Sequence, residues 1–261
     1  MIHIRTPDEI DAIAQAGAIV GGLFEAVRAK VAPGVSTKAL DRFCEEYIVS
    51  HPGAVPAFKG LYGFPGSACI SINEEVVHGI PSERRILEEG DLVSVDLGVR
   101  MDGWYTDSAR TFPVGKVAPE ARELLGVTRK ALGSAVGAAV RGNNVGDIGA
   151  AVVAALEGRP YGIIRDLVGH GIGRELHEEP QVPNVGRPGH GPLLREGMVL
   201  AIEPMISTGT ANIRTLDDGW TVVTADGALS AHFEHTVAIT ADGPRILTTA
   251  GDPADALLGG A

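Results

Sequence analysis

LEEGDLVSVD (residues 87–96) and LREGMVLAIE (residues 194–203) match at a constant offset of 107 positions. Leu, Glu and Gly recur at the same places, an apolar strand follows, and each copy ends on an acid, Asp96 or Glu203. Upstream, APGVSTKAL (32–40) resembles VRGNNVGDI (140–148) at an offset of 108. A turn followed by a strand also recurs by chance, and the second matching segment is what favours duplication. Two copies at so long a period do not make a solenoid. One domain over 1–261 is therefore expected, with internal repeats at roughly 7–110 and 118–240. A pseudo-two-fold between the halves would bring Asp96 and Glu203 to one central crease. An ionised carboxylate closing an apolar strand is costly unless a positive charge meets it.

Each half reads as helix, helix, then strands. Thr6-Pro7-Asp8-Glu9 is a helix start, with a capping hydroxyl, proline at the first helical position and acids suited to the dipole. Apolar residues at Ile10, Ile13, Ala14, Gly17, Val20, Gly21 and Phe24 carry that helix towards Val31, before Pro33-Gly34. Ser36 caps a second helix running to about Val49. Further helices are expected over 119–140 and 145–156. Strands are expected at ACISIN (68–73), DLVSVDLG (91–98), YGIIRDL, VLAIE, GWTVVT and AHFEHTVAIT.

The acids form a pattern around the first repeat. In DLGVRMDGWYTDSARTF, Asp102-Gly103 is a hairpin signal flanked by strand-like residues. That turn sets Met101 opposite Trp104 and Gly98 opposite Asp107. Asp107 then becomes the diagonal neighbour of Asp96, about 7–8 Å away on the same face. Two ionised acids so placed repel, so a proton or a cation must sit between them. Glu234, in AHFEHTVAI, is a fourth candidate for the crease. Four ionised carboxylates are matched in charge by two divalent cations. Oxygen ligands with one imidazole suit manganese, iron, cobalt or zinc. A tetrathiolate zinc site is excluded, because the chain has only 2 cysteines.

An imidazole is available in VGHGIGRELHEEP (168–180). His170 sits between glycines that allow close approach, and His177 follows; glycines and spacing rule out an HExxH helix. His78, in VVHGIP, repeats the HGI of 170–172. Read singly, His170 and His177 are each better explained as surface or hydrogen-bonded residues than as ligands. The remaining five (His3, His51, His190, His232, His235) are assigned no site role, His232 least securely because it shares a strand face with Glu234.

Composition narrows the classes. With 33 acidic against 22 basic residues and a formal charge of −11, neither nucleic acid nor an anionic membrane surface is expected as the main partner. The N-terminus has no signal-peptide pattern, and no uninterrupted apolar run has membrane-spanning length. Two cysteines make no disulfide framework, so a cytoplasmic location is expected.

The motifs CISINEEVVHGIP, VSVDLG, DGWYTDSARTF, GHGIGRELHEEP, LAIEPM and SAHFEHTVAIT, in that order, closely resemble type I methionine aminopeptidases in a short bacterial form. The similarity runs over nearly the whole chain. It implies the α+β pita-bread fold: two αβ repeats related by a pseudo-two-fold, with a central antiparallel sheet. It also implies that Asp96, Asp107, His170, Glu203 and Glu234 bind two divalent ions. By position Asp96 would chelate one, His170 and Glu203 the other, and Asp107 and Glu234 would bridge. His78 and His177 match the family's substrate-contacting histidines, and Glu203 would double as a proton shuttle. Phe64, Cys69, Leu176 and Trp220 match the methionine pocket, with Leu61 at its rim. Many bacterial members read GYHGYP and GFHEEP where this chain has GLYGFP and ELHEEP, which replaces aromatics by Leu61 and Leu176. Asn73, Glu75 and Ser230 match a monovalent-cation site. The implied partners are nascent polypeptide N-termini at the ribosome, and a monomer is expected. Proline-specific dipeptidases and creatine-type hydrolases share the fold but carry a large N-terminal domain, whereas about 66 residues precede the first strand of the site here. A pseudoenzyme would be expected to have lost ligands, and all five positions are filled.

Overall fold

The computed structural model describes residues 1–249. Helix α1 (Pro7–Arg28) starts on a capping box, in which the Thr6 hydroxyl accepts from the Glu9 amide and the Glu9 carboxylate accepts from the Thr6 amide. It ends at Arg28, short of Val31, with Ala29 as its C-cap. Helix α2 (Thr37–Val49) is capped by Ser36. The two pack on a sheet of β1 (Ala54–Pro56), β2 (Cys69–Ile72), β4 (Leu92–Met101) and β5 (Trp104–Pro113). Between β2 and β4, the short β3 (Glu75–Val77) pairs elsewhere. Phe24, Leu40, Ile70 and Val95 are all buried in this core. By length and composition alone α1 could cross a membrane. Its apolar face, Ile13, Val20, Leu23 and Phe24 included, is spent on the core instead.

The second half repeats the plan. Helices α3 (Pro119–Ala138) and α4 (Val145–Ala155) pack on a sheet whose order is β15-β14-β9-β7-β8. Those strands are β7 (Gly169–Gly171), β8 (Glu178–Val182), β9 (Val199–Ile202), β14 (His235–Thr240) and β15 (Gly243–Ile246), and all the pairings are antiparallel. Matching backbone contacts recur at the offset read from the sequence. Ser36 bridges Ile86 as Asn144 bridges Leu193. The Gly34 amide donates to Leu87 O at 2.8 Å, and the Gly142 amide to Leu194 O at 3.1 Å. Gly90 and Gly197 both take the left-handed turn, φ 98° and 87°, that aims β4 and β9.

Two small sheets flank the junction: β6 (Gly162–Ile163) with β10 (Met205–Ser207) and β13 (Ser230–His232), and β3 with β12 (Val222–Thr224) and β11 (Ile213–Thr215). The halves are stitched where β5 crosses β13 and β14. The Thr236 hydroxyl donates to Asp107 O (2.8 Å), the Glu234 amide to Ala109 O (2.9 Å), and the Thr111 hydroxyl to His232 O (2.9 Å).

Two strand expectations differ. Of YGIIRDL only Gly162–Ile163 is strand. AHFEHTVAIT breaks at Phe233-Glu234 into β13 and β14, which belong to different sheets. Glu234 therefore stands at the switch rather than within a strand, because its amide is committed to β5 of the other half.

Candidate metal centre

The β4–β5 hairpin has the register that Asp102-Gly103 dictates: Met101 faces Trp104 and Gly98 faces Asp107. Gly98 has no room for a side chain, since a Cβ there would lie 2.9 Å from both Ala57 Cβ and Thr106 O. Asp96 and Asp107 thereby meet on one buried face. Glu203 arrives directly after β9, His170 lies in β7, and Glu234 lies between β13 and β14. The five side chains come from both halves. Asp107, His170 and Glu234 each place a ligand atom within 4.8 Å of the others. His170 Nε2 stands 3.7 Å from Glu203 Oε1 and 3.8 Å from Asp107 Oδ2. His170 Nδ1 lies 2.8 Å from Gly171 O. A carbonyl only accepts, so Nδ1 carries the proton and the lone pair of Nε2 faces the acids.

Fully buried and unbonded oxygens identify what this cluster lacks. Asp96 Oδ1, Asp107 Oδ1 and Glu234 Oε1 have no hydrogen-bond partner, a state that costs kilocalories unless a cation or proton satisfies it. Burial, reinforced by the neighbouring acids, pushes Asp96, Glu203 and Glu234 well above the usual carboxylate range. Burial also raises Asp107, to about 7. Burial lowers His170 to about 4, so its imidazole is neutral and able to ligate at neutral pH. Carboxylates with one neutral imidazole, orphaned and converging, fit hard or borderline divalent ions.

The sequence left His232 out of the site, and the structure places it inside. It is 1% exposed, with Nε2 at 3.8 Å from Glu203 Oε2 and 3.9 Å from Glu234 Oε2. Neither ring nitrogen has a hydrogen-bond partner, and burial lowers it to about 3. The signal was present in AHFEHTV as the face shared with Glu234. Tyr62 had no such signal. It is 78% exposed, and its ring stacks parallel to that of His177 at 6.2 Å.

His78 and His177 flank the acids along the wall of one cavity of about 720 Å³, which also borders Asp96, His170 and Glu203. The His177 ring meets that of His170 edge-on at 4.5 Å, and the His78 ring meets Trp220 edge-on at 6.3 Å. Burial lowers the pKa of both His78 and His177. His78 is held at φ 61°, a left-handed conformation that costs a non-glycine residue and collects at functional sites. Phe64, Cys69 and Leu176 are buried in one apolar cluster against which Leu61 and Trp220 pack. Phe64 and Trp220 meet edge to face at 5.1 Å. Asn73 and Ser230 also meet, through the Ser230 amide and Asn73 O at 2.8 Å. Glu75 accepts from the Ile72 amide and pairs with Arg85. The Ser230 hydroxyl is buried and unbonded.

The protonation pattern fixes a stability trend for metal-free protein. The folded acids hold protons that the unfolded chain loses above its ordinary carboxylate pKa, so they make stability fall as pH rises, through about 7 for Asp107. Folded His170 and His232 hold fewer protons than the unfolded chain between about 4 or about 3 and the ordinary 6.5, so they act oppositely there. Above 6.5 the histidine contribution is complete and only the acids remain. Metal-stripped protein should therefore melt at falling temperature from about pH 6.5 to about pH 8.5, while added manganese or cobalt flattens the slope by replacing protons. A stripped sample whose melting temperature rises across that range would contradict the assignment.

Comparisons with known proteins converge on one group. The profile of metallopeptidase family M24 matches residues 11–241. The methionine aminopeptidase of Clostridium perfringens is 50% identical over 95% of this chain and 99% of its own. Methionine aminopeptidase 1 of Bacillus subtilis is 46% identical over the same shares. The crystal structure of methionine aminopeptidase from Thermotoga maritima superposes with a TM-score of 0.93 at 44% identity, covering 95% of this chain and all of that one. The prolidase from Pyrococcus furiosus is less similar, with a TM-score of 0.75 at 25% identity, and this chain spans 66% of it.

Proposed function

This chain belongs to metallopeptidase family M24, and on that premise we propose that it removes the initiator methionine from polypeptides whose second residue is small. It has the pita-bread fold of its relatives, and it is a metal-dependent aminopeptidase. The reading is carried by the convergence of Asp96, Asp107, His170, Glu203 and Glu234, three of which present an orphaned buried oxygen, in a chain half identical to a named methionine aminopeptidase.

Those five residues would hold two divalent ions, of manganese, iron, cobalt or zinc. Such ions, when bound, make a water molecule acidic enough to act as hydroxide near neutral pH and polarise a carbonyl. The apolar cluster of Phe64, Cys69, Leu176 and Trp220, rimmed by Leu61, takes the unbranched thioether side chain. Leu176 adjoins His177 in sequence, so seating the methionine side chain brings the scissile carbonyl to that imidazole. His177, neutral because burial lowers its pKa, donates a hydrogen bond to the oxygen as negative charge develops. His78 contacts the scissile nitrogen. Glu203 accepts a proton from the attacking water and delivers it to the departing amine. Asn73, Glu75 and Ser230 would hold a monovalent cation, for which the buried unbonded Ser230 hydroxyl is the support. The enzyme acts as a monomer in the cytoplasm, on nascent chains at the ribosome.

The test is hydrolysis of Met-Ala-Ser, Leu-Ala-Ser and Met-Lys-Ser by metal-stripped protein and after return of each ion. Only Met-Ala-Ser should be cleaved, and only with metal. Equal cleavage of the leucine peptide would overturn the pocket assignment.

A further inference from the structure

His177 and Leu176 lie in a turn, residues 174–177, that no regular element contains. Two backbone amides hold the turn closed: those of Arg174 and Glu175 donate to Glu178 Oε1 at 2.7 and 3.2 Å. The other oxygen of the same carboxylate is paired with Arg5, and both side chains are nearly buried, 8% and 7% exposed. Arg5 is itself anchored. Its amide donates to Gly197 O at 2.7 Å, and its guanidinium lies 5.2 Å from the Trp104 ring centroid. Gly173 is bare at this point, because a Cβ there would collide with the Arg5 guanidinium. The backbone before Arg5 continues the attachment, with Ile2 bridging Glu179 beside β8.

We infer that Arg5 is a positioning residue for peptide hydrolysis: by neutralising buried Glu178 it fixes the turn that aims His177 at the scissile carbonyl. This rests on the role given above to His177. The physical ground is the cost of an uncompensated buried carboxylate. Without Arg5, Glu178 either turns to water and releases the two amides that define the turn, or takes a proton and holds them with a weaker, neutral acceptor. A planar guanidinium with several donors suits a fixed, buried partner better than a flexible ammonium does. Arg174 stacks on Trp104 as well, 3.6 Å from the ring centroid, so the turn and the N-terminal segment share one aromatic platform.

The experiment is a double-mutant cycle on the metal-loaded full chain with Met-Ala-Ser, measuring kcat, KM, melting temperature and metal content. His177→Ala should lower kcat by about 10²-fold. Arg5→Met should lower kcat by about 10-fold with metal content intact, as expected of a misplaced group. In the His177→Ala background, Arg5→Met should cost almost nothing further, and Arg5→Lys alone should recover part of the loss, since it restores the charge without the planar fork. Should Arg5→Met fail to fold, Glu178→Ala takes its place in the same cycle, since it removes the acceptor of the turn amides directly and should cost kcat to a similar degree. Losses that multiply in the double variant would make Arg5 merely structural and overturn the inference. An unchanged kcat in His177→Ala alone would instead overturn the carbonyl role beneath it.

Discussion

Asp107→Asn should abolish turnover and strip the protein of most of its metal. The side chain of Asp107 is buried, its Oδ1 has no protein partner, and its Oδ2 lies 3.8 Å from His170 Nε2. It therefore stands where a cation would need charge from both lobes. An amide keeps the shape but offers one neutral oxygen and an NH₂ group that repels a cation. The loss is expected at or above about 10³-fold in kcat/KM, beyond the roughly 10–100-fold typical of removing a hydrogen bond behind a ligand. Because the buried acid is costly to ionise without metal, its pKa being raised to about 7, the stripped Asp107→Asn variant should melt no lower than the stripped parent at about pH 8. Plasma emission spectrometry on dialysed protein reads metal content and a peptide assay reads turnover. Retained activity at full metal occupancy would remove Asp107 from the ligand set.

Gly171→Ala should be nearly as damaging, though glycine carries no functional group. A Cβ at Gly171 would lie 2.2 Å from Glu179 O and 2.7 Å from the Glu179 carbonyl carbon, both rigid backbone of β8. Something must shift, and β7 is the thinner element, with 3 residues against 5. Any shift moves Gly171 O, which fixes the His170 ring. A displacement of about 1 Å costs about 10²-fold, and weakened ligation a further roughly 10-fold, giving a fall on the order of 10³-fold in kcat/KM. Gly137→Ala is the control, since a Cβ there meets nothing within 4 Å. That helical substitution should leave activity intact and raise the melting temperature slightly. Normal turnover in Gly171→Ala would show that the strand can yield without moving His170.

The same crowding explains the repeated HGI. At Gly79 a Cβ would lie 2.2 Å from Ile70 O, so each histidine of the pair precedes a glycine that lets its segment lie against a neighbouring backbone. The repetition was legible in the sequence, but its reason is steric and needs three dimensions. The hairpin register was legible because a two-residue Asp-Gly turn leaves one way to pair the flanking strands. Helix starts were legible because Thr6 and Ser36 are local caps. The break at Phe233-Glu234 was not. Alternation along AHFEHTVAIT continues across it, and only the competing bond from Glu234 to Ala109 O in the other half forces the change of sheet. His232 was only half legible: the face it shares with Glu234 was visible in the sequence, whereas its approach to Glu203 is a tertiary contact that no local pattern encodes. Tyr62 lies in a run where Gly60, Tyr62 and Gly63 all take positive φ, 82°, 49° and 90°. Its position above His177 follows from that backbone path rather than from its side chain.

The stitching of β5 to β13 and β14 has an outcome for the protein's own biogenesis. The proposed ligands run from Asp96 near the end of the first lobe to Glu234 near the end of the second, and neither lobe alone supplies the set. A ribosome releasing this polypeptide exposes the first acids long before the last. On the proposed assignment, a copy interrupted at any codon ahead of Glu234 would be an inert fragment, and hydrolytic power would come into being only as the final strands dock.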